Sequence, residues 1–479
     1  MSTFTFRISK PHFDQLHAHL FPGDHDEHGA VIAVGVSKSG RETRLLAREI
    51  FLARDGIDYV ESKYGYRALS ADFVARVSDR CSRHGLGYFA VHCHGSKDSV
   101  GFSRVDLESH KRGYPALLDI TNGGPVGALV FAQNAVAGSV WTPKGVFKLN
   151  HLVVVGANIQ RLYPTPSCSP IAANPLYHRQ ALMFGDAGQE ILRRAKIGII
   201  GLGGAGSLIN EWLAKLGVGE IIGIDFDKVE PSNHPRVVDT TLWDAQTLLS
   251  TSRWPALQRL GQLLATRKVK VARRVARKAN PKIRYHAVSS DITVRGVALL
   301  LKDADYVFLC ADSAQSRLVF NALVHQYLIP GMQVGAKVPV DKATGIVGDI
   351  FAVARPVLPY AGGGCLLCNG LIPADKLRQE ALTAEERRAQ AYIEETQITA
   401  PSVITLNAVA CAQAANEFLL GYLGLLNENN PPGYQMQFCR EKNWQHVIPT
   451  KDANCLHCGN QRTSVLARGD GSTLPCRSA

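Results

Sequence analysis

The chain has 479 residues, enough for two or three domains, and 46% of them are hydrophobic. Its formal net charge of +12 at pH 7 favours acidic partners over basic ones. No apolar run reaches the length of about eighteen residues that a membrane span requires. Because eleven cysteines occur without a signal-peptide pattern, we expect a soluble, cytoplasmic protein with reduced thiols.

The first chemical motif in the chain is a pair of histidines after an apolar run. The run Gly87–Val91 predicts a strand that delivers His92 and His94. Side chains at positions i and i+2 of a strand share a face, so both imidazoles can bind one metal. Asp106 can complete a three-ligand zinc site with an open position, which makes hydroxide available near neutral pH.

The order of these residues resembles the JAB/JAMM metallopeptidases, whose pattern is an upstream glutamate, then His-x-His, then Ser-x-x-Asp. In this sequence the pattern is Glu27, His92-Cys-His94 and Ser103-Arg-Val-Asp106. The resemblance implies a zinc ion held by His92, His94 and Asp106. It also implies that Glu27 is the general base and that Ser103 stabilises the oxyanion.

Three details differ from that pattern or leave an alternative. Gly95 stands where the family usually has a proline, and the gap from His94 to Ser103 is about one residue longer than usual. Asp24 or Asp26 is the alternative general base. We expect an active peptidase, and the alternative is a degenerate fold that is kept for binding.

The domain organisation follows from a Pro/Ser-rich stretch at residues 164–175, which predicts a linker. We place the first domain at residues 1–160, the linker at 161–175 and the second domain at 176–479. In the first domain, two amphipathic helices are predicted at Ala71–His84 and about Val105–Leu118. Short apolar strands alternate with them, including one at Ala30–Val34, which favours an α/β/α layered domain.

The second domain opens with a glycine loop between two apolar strands. Ile197–Ile200 is the first strand, a helix of about ten residues follows the loop, and the second strand ends on Asp225. In such a unit Gly201 allows the tight turn, Gly203 lets the backbone approach phosphates, and Gly206 lets helix and strand pack closely. Asp225 is placed to bind ribose hydroxyls, so we expect a nucleotide site in a Rossmann-like, mostly parallel sheet.

The residues after Asp225 indicate which nucleotide is bound. Asp227, Asn233 and Arg236 follow the strand end, where phosphates and a metal ion would lie. A hydride-transfer enzyme has no need of an arginine there, so these residues favour ATP.

Six collinear motifs resemble the ThiF/MoeB/HesA family, the adenylating core of ubiquitin-activating enzymes. Besides the glycine loop and the residues after it, they include Tyr177-His-Arg179-Gln180, Lys270 before Asn280-Pro281, and the strand and loop at residues 305–321 with Asp312, Arg317 and Asn321. The resemblance implies that Arg179 reaches the ATP of a neighbouring subunit in a homodimer. It implies phosphate contacts for Asn233, Arg236 and Lys270, and a Mg²⁺ ligand in Asp312.

Two Cys-x-x-Cys knuckles, Cys365-Leu-Leu-Cys368 and Cys455-Leu-His-Cys458, have the spacing of a tetrahedral structural zinc site. The resembled family ties its C-terminal segment to the core with such a site. His457, inside the second knuckle, either tunes that site or faces solvent. The other seven cysteines are expected to be mostly buried apolar thiols: Cys81, Cys93, Cys168, Cys310, Cys411, Cys439 and Cys476.

Ubiquitin-activating relatives often carry a nucleophilic cysteine in the crossover segment, and alignment puts Ile393 at that position. Cys411 lies on an apolar face of the helix predicted at Val403–Leu420, where we expect core packing. We therefore do not expect a cysteine thioester on this chain. Either the acyl-adenylate passes directly to a partner, or a hydroxyl such as that of Thr396 or Thr399 accepts the acyl group.

The sequence predicts a zinc isopeptidase fused to an ATP-, Mg²⁺- and Zn²⁺-dependent adenylyltransferase that acts on a ubiquitin-like β-grasp protein, as in bacterial ubiquitin-like conjugation systems. A conjugating-enzyme partner is a further expectation. The alternatives are activation of a sulphur-carrier protein with precursor trimming, and a non-catalytic scaffold or NAD-dependent oxidoreductase.

The basic stretch 253–284 has eleven Lys or Arg and no acid. It lacks the aromatic interleaving of a base-stacking surface, so we expect an acidic protein partner rather than nucleic acid.

Overall fold

The structure is a computed structural model that describes residues 3–24, 26–60, 68–166, 174–341, 344–382 and 401–477. The chain forms two compact units. The first comprises residues 1–170, 325–328 and 465–473, and the second comprises 171–324, 329–464 and 474–479. The predicted boundaries at residues 160 and 175 fall beside this division, and the two short later segments of the first unit are a feature that the sequence did not indicate.

The described part of the first unit alternates strands and helices. The elements are β1 (Phe4–Ser9), α1 (Lys10–Leu20), β2 (Gly29–Lys38), β3 (Thr43–Leu52), α2 (Ala71–His84), β4 (Gly87–Cys93), α3 (Arg104–Ile120), β5 (Val126–Phe131), β6 (Val136–Thr142), β7 (Gly145–Val155) and β8 (Ile159–Leu162). The helix predicted at Ala71–His84 is confirmed at both ends, because Ser70 caps its start and Gly85, with φ 62°, ends it.

The eight strands of this unit form one sheet in the order β1-β3-β2-β4-β5-β6-β7-β8, and β1 also pairs with β7, so seven strands close into a ring. Alternate residues of β2 enter two different apolar clusters. Ala30, Ile32 and Val34 pack in a cluster with residues of α1, whereas Val31 and Ala33 pack in one with residues of α2 and α3. Helices therefore cover both faces of the sheet, as the sequence predicted.

The described part of the second unit begins with a short 3-10 helix at Pro175–Tyr177. Its further elements are α4 (His178–Arg194), β9 (Lys196–Ile200), α5 (Gly204–Lys215), β10 (Glu220–Ile224), a 3-10 turn (Pro231–Asn233), α6 (Thr247–Ser250), α7 (Pro255–Leu264), α8 (Lys268–Ala279), β11 (Arg284–Val288), α9 (Arg295–Ala298), a 3-10 turn (Leu299–Leu301), β12 (Tyr306–Leu309), α10 (Ala314–Gln326), β13 (Gly331–Lys337), β14 (Phe351–Val357), α11 (Ala374–Ala381), α12 (Ile404–Tyr422), β15 (Tyr434–Phe438) and β16 (Asn443–Val447).

The second sheet has the order β11-β10-β9-β12-β13-β14-β15-β16. The five strands from β11 to β13 are parallel, and the last three pair antiparallel. The order reverses between β9 and β12, so this is a doubly wound sheet with a switch point at the carboxyl end of β9. The expected mostly parallel, mixed α/β fold is confirmed. None of the helices in the described ranges is long and apolar enough to cross a membrane.

Candidate functional sites

The glycine loop lies at the switch point of the second sheet. Gly201 has φ 86°, which favours glycine, and its N–H donates to the carbonyl of Ile224 on the neighbouring strand at 2.9 Å. A Cβ at Gly206 would lie 1.9 Å from the carbonyl oxygen of Gly201. These two glycines therefore allow the turn and the close approach of α5 to β9, as their spacing predicted.

The start of α5 is open to a ligand. A Cβ at Gly203 would meet no atom within 4 Å, and Gly203 is the N-cap of α5 without a side-chain hydrogen bond. The first N–H groups of a helix carry a partial positive charge and bind anions such as phosphate. The loop thus has the open backbone donors that a nucleotide phosphate requires.

Asp225 holds the glycine loop against the end of β10. Its two carboxylate oxygens accept the backbone N–H groups of Leu202 at 2.7 Å and Asp227 at 2.8 Å. Burial raises the pKa of Asp225, while the charge of Lys268 and these hydrogen bonds oppose the rise. Each oxygen keeps a second lone pair, so the arrangement is compatible with the predicted contact to ribose.

The ammonium group beside this strand end belongs to Lys268 rather than to the predicted Lys270. Lys268 Nζ lies 2.7 Å from Asp227 Oδ2, and its side chain is 11% exposed. Lys270 is exposed on α8. Two residues advance a helix by about 200°, so the two lysines point to nearly opposite sides. The sequence analysis named Lys270 alone, and the amphipathic pattern of α8 is the signal that separates the two lysines.

Asn233 and Arg236 lie in the loop that follows β10. Asn233 is buried and its Oδ1 accepts the N–H of Glu230 at 3.1 Å, so this side chain closes the 3-10 turn. The backbone carbonyl of Arg236 lies 3.5 Å from the position of a Cβ on Gly204. Among the residues that the structure describes, the half-exposed Arg236 guanidinium has no hydrogen-bonding or ionic partner. The guanidinium is therefore available to an anion, and its backbone lies beside the start of α5.

Asp312 lies in the loop between β12 and α10, beside the same glycine loop. The backbone N of Ala311 is 2.9 Å from the position of a Cβ on Gly201. Asp312 is exposed, and Ser313 Oγ caps α10 by accepting the N–H of Ser316 at 3.1 Å. The Asp312 loop and the loop that carries Arg236 thus both border the glycine loop.

Arg179 lies at the opposite end of α5 from the glycine loop. The next residue, Gln180, donates to the carbonyl of Leu216 at 2.9 Å, directly after α5 ends. Because α5 has twelve residues, its two ends are about 18 Å apart. Arg179 itself is exposed.

The four knuckle cysteines form a compact cluster. Each offers a sulfur, and all four sulfurs lie within 4.8 Å of one another, with 3.8 Å between Cys365 and Cys455 and 3.5 Å between Cys368 and Cys458. Sulfurs that bind a tetrahedral zinc at about 2.3 Å lie about 3.8 Å apart. The cluster therefore fits the predicted zinc ion.

Asn321, which follows Asp312 at the spacing of the resembled family, lies at this cysteine cluster. Its fully buried amide donates to Cys365 Sγ at 3.2 Å and contacts His457 Nδ1 at 2.7 Å, while its oxygen accepts the N–H of Leu366 at 2.9 Å. His457 is buried too, and burial lowers its pKa. Of the two predictions for His457, tuning of the zinc site fits, because the ring does not face solvent.

A second candidate metal site lies in the first unit. Asp106 Oδ2 is 3.5 Å from His92 Nε2 and 3.7 Å from His94 Nε2. Ligands about 2.1 Å from a tetrahedral zinc would be about 3.4 Å apart. His92 Nε2 is buried and has no hydrogen-bond partner, which is costly unless a ligand such as a metal occupies the position. The three predicted side chains therefore converge with the geometry of a metal site.

Glu27 is the carboxylate that faces this site. Gly29 pairs with His92 in the antiparallel β2–β4 ladder, which places Glu27 opposite His94, and Glu27 Oε1 lies 3.9 Å from His94 Nε2. Both oxygens of the alternative base Asp24 contact His28 Nε2 at 3.0 Å. The geometry therefore favours Glu27 over Asp24 as the base.

Ser103 and Asp106 form a capping box at the start of α3. Ser103 N–H donates to Asp106 Oδ2 at 2.7 Å, and Ser103 Oγ accepts the N–H of Asp106 at 3.2 Å. Burial favours a higher pKa for Asp106, but His92 and the bonds from Ser103 outweigh burial and lower it. A hydroxyl that accepts one hydrogen bond keeps its O–H donor, so the cap is compatible with the predicted oxyanion role.

Cys411 is fully buried in α12, with Sγ 3.3 Å from the carbonyl of Ala205, and burial raises its pKa. The expectation that it packs in the core is confirmed.

Four residues named in the sequence analysis lie outside the described residues: Cys168, Ile393, Thr396 and Thr399.

The doubly wound sheet, with an open glycine loop and cationic side chains at its switch point, defines the second unit as a nucleotide-binding α/β domain. A profile of the ThiF family matches residues 177–457, more than half of the chain. The chain therefore belongs to the ThiF family.

Individual relatives match a shorter segment. The molybdopterin-synthase adenylyltransferase of Escherichia coli is 33% identical over 148 residues, which cover 30% of this chain and 52% of that protein. The sulfur carrier protein adenylyltransferase of Thermus thermophilus is 29% identical over 150 residues, covering 30% of this chain and 47% of that protein. The chain thus spans about half the length of these relatives. A crystal structure of E. coli MccB with ATP covers 59% of this chain and 74% of that chain, at 19% identity and a TM-score of 0.43.

Proposed function

We propose that the second unit uses ATP to adenylate the C-terminal carboxylate of a ubiquitin-like protein, and that the first unit is a zinc-dependent peptidase or isopeptidase for the same protein. Family membership supports the adenylation half. The observation that carries it is that the segments with Arg236 and Asp312 border the open glycine loop, while the Asp227–Lys268 pair follows the neighbouring strand end.

In the proposed reaction, a carboxylate oxygen of the substrate attacks the α-phosphorus of ATP, and the bond to pyrophosphate breaks as pyrophosphate leaves with the electron pair. The obstacle is repulsion between anions, so the site must position charges and neutralise them. The open N–H groups of α5, Arg236 and Lys268 supply positive charge, and Asp227 orients the ammonium of Lys268. Mg²⁺ on Asp312 would neutralise phosphate charge.

Lys268 replaces Lys270 as the phosphate-binding lysine in this proposal. The chain itself provides the control, because the two lysines lie on one helix and only one contacts the strand end. We expect Lys268→Ala to reduce ATP/pyrophosphate exchange by roughly a hundredfold or more, as for loss of an electrostatic group at a reacting phosphate. Lys270→Ala should keep exchange near the wild-type rate. Equal effects would contradict the assignment.

Arg179 is proposed to act in trans, in a homodimer. The neighbouring Gln180 is bonded at the end of α5 that is distant from the glycine loop, about 18 Å along the helix, which supports a contact of Arg179 with the nucleotide of a second copy. Mixing an Arg179→Ala chain with an Arg236→Ala chain should then restore part of the exchange activity, because one of the two sites in a mixed dimer has both arginines. No restoration in a demonstrated mixed dimer would argue against the role in trans.

In the first unit, His92, His94 and Asp106 would hold zinc, and Glu27 would accept a proton from the attacking water. Zinc would act there as a Lewis acid. Ser103 would donate its O–H to the oxyanion. Glu27→Ala should abolish cleavage of a substrate with an extended C-terminal tail and leave the zinc content unchanged. Retained cleavage would exclude Glu27 as the base.

The substrate class is tested by ATP/pyrophosphate exchange with purified ubiquitin-like proteins that end in glycine. If none supports exchange and Arg236→Ala changes nothing, the adenylation proposal fails. A sulphur-carrier protein is the second candidate substrate, because the relatives in E. coli and T. thermophilus are described as a molybdopterin-synthase and a sulfur carrier protein adenylyltransferase. Transfer of the activated acyl group to sulfide rather than to an amine would favour that candidate.

A further inference from the structure

The first turn of α10 is held by a carboxylate that is distant in sequence. Glu380 on α11 accepts the N–H of Ala314 through Oε1 and that of Gln315 through Oε2, both at 2.8 Å. These donors are the first two N–H groups of α10, which no residue within the helix can satisfy. Glu380 therefore closes the helix end with both oxygens, alongside the local cap from Ser313.

A second contact holds the start of α10, three residues after Ala314. Arg317 donates to the carbonyl of Leu371 at 3.1 Å, so the segment that leads into α11 is tied to α10 as well. Burial lowers the pKa of Arg317, and the charges of Asp312 and Glu380 oppose that effect. Arg317 thus lies close enough to both carboxylates to interact with them electrostatically.

The position of Asp312 depends on this turn. Only Ser313 separates Asp312 from the first residue of α10, so a shift of the helix start moves the Asp312 carboxylate with it. On the other side, Ala311 already contacts the backbone of the glycine loop at Gly201. Asp312 is consequently fixed between two anchors, the glycine loop and the turn that Glu380 holds.

We infer that Glu380 is a positioning residue for the Mg²⁺ site of the adenylation reaction, acting through the backbone of Ala314 and Gln315 on Asp312. This inference rests on the proposed function of the second unit. Both oxygens of Glu380 accept backbone N–H groups of the helix start, so the inference assigns Glu380 to support of the ligand Asp312. Side chains that orient a metal ligand typically affect metal affinity by one to two orders of magnitude when they are removed.

The test is the Mg²⁺ dependence of ATP binding to the full chain, measured by titration calorimetry in EDTA and at increasing Mg²⁺. We expect Glu380→Ala to raise the Mg²⁺ concentration for half-maximal enhancement by roughly tenfold and to leave binding of metal-free ATP unchanged. Glu380→Gln, which keeps an oxygen acceptor, should recover part of the loss. Asp375→Asn, which changes an exposed carboxylate in the first turn of the same helix, should behave as wild type.

The outcomes separate the inference from the function on which it rests. If Glu380→Ala only lowers the unfolding temperature and Glu380→Gln also keeps the wild-type Mg²⁺ dependence, Glu380 is merely a helix cap and the inference is wrong. If Asp312→Asn keeps the wild-type Mg²⁺ dependence, Asp312 is not the ligand and the inference fails while ATP binding stands. If the wild-type chain binds no ATP, the adenylation proposal fails, and the inference about Glu380 fails for the same reason.

Discussion

Replacing Gly206 by alanine should separate α5 from the turn after β9. A Cβ at Gly206 would lie 1.9 Å from Gly201 O and 2.9 Å from Gly201 C, both backbone atoms. Carbon atoms pack at about 3.5 Å or more, so the helix start must move by more than about 1 Å. Overpacking that displaces backbone costs about 3 kcal/mol, which for a unit of roughly 300 residues corresponds to a fall of about 5 °C in the unfolding temperature.

Gly203→Ala is the matched control, because a Cβ at Gly203 would meet no atom within 4 Å and its φ of −77° suits alanine. Loss of the glycine N-cap should cost at most about 1 kcal/mol. The new methyl group would instead stand where phosphate approaches, so this variant should fold normally and bind ATP weakly. Calorimetric unfolding and ATP titration of both variants test the reasoning. A Gly206→Ala chain that unfolds at the wild-type temperature, or a Gly203→Ala chain that binds ATP normally, would refute the corresponding role.

Three further results are expected from single changes. Cys458→Ser and His92→Ala should each lower the zinc content from about two to about one ion per chain by elemental analysis, because the two sites share no ligand; an unchanged content in either would exclude that site. Burial alone would raise the pKa of Glu42, but the charge of Arg44 outweighs burial and lowers that pKa to about 2. This carboxylate therefore stabilises the fold fully above its unfolded value near pH 4.5 and loses that contribution toward pH 2. Glu42→Gln should therefore flatten the acid limb of a stability profile, and an unchanged limb would contradict the assignment. Cys411→Ala should keep ATP/pyrophosphate exchange and acyl transfer, since Cys411 is a core thiol, and a trapped thioester that disappears in this variant would show the opposite.

Local sequence patterns predicted the helices, strands and loops that carry the sites. Contacts between residues distant in sequence determine which side chains lie together there. The helix at Ala71–His84 and the glycine loop follow from periodicity and from glycine spacing, which are properties of neighbouring residues. Lys268 and Lys270 differ only in the side of α8 that each occupies. The contact of Lys268 with Asp227, which distinguishes them, depends on how α8 packs against the end of β10. Asn321 matched a family spacing, yet its amide donates to Cys365, more than forty residues away. Closure of the first sheet through β1 and β7 is likewise a long-range pairing that no local pattern encodes.

The acid–base groups of the two candidate sites differ as their proposed reactions require. Hydrolysis of an amide starts from neutral water and a neutral carbonyl, so it needs a base, and Glu27 lies beside the three converging metal ligands. Adenylation starts from a carboxylate that is already ionised at neutral pH, so it needs cations and no base. Arg236 and Lys268 are the proposed cations, and the carboxylates of Asp225 and Asp227 are held by backbone N–H groups and by the ammonium of Lys268. Cleavage of a tail releases the kind of carboxylate that adenylation consumes, so on a tail-extended precursor the chemistry of the first unit must come before that of the second.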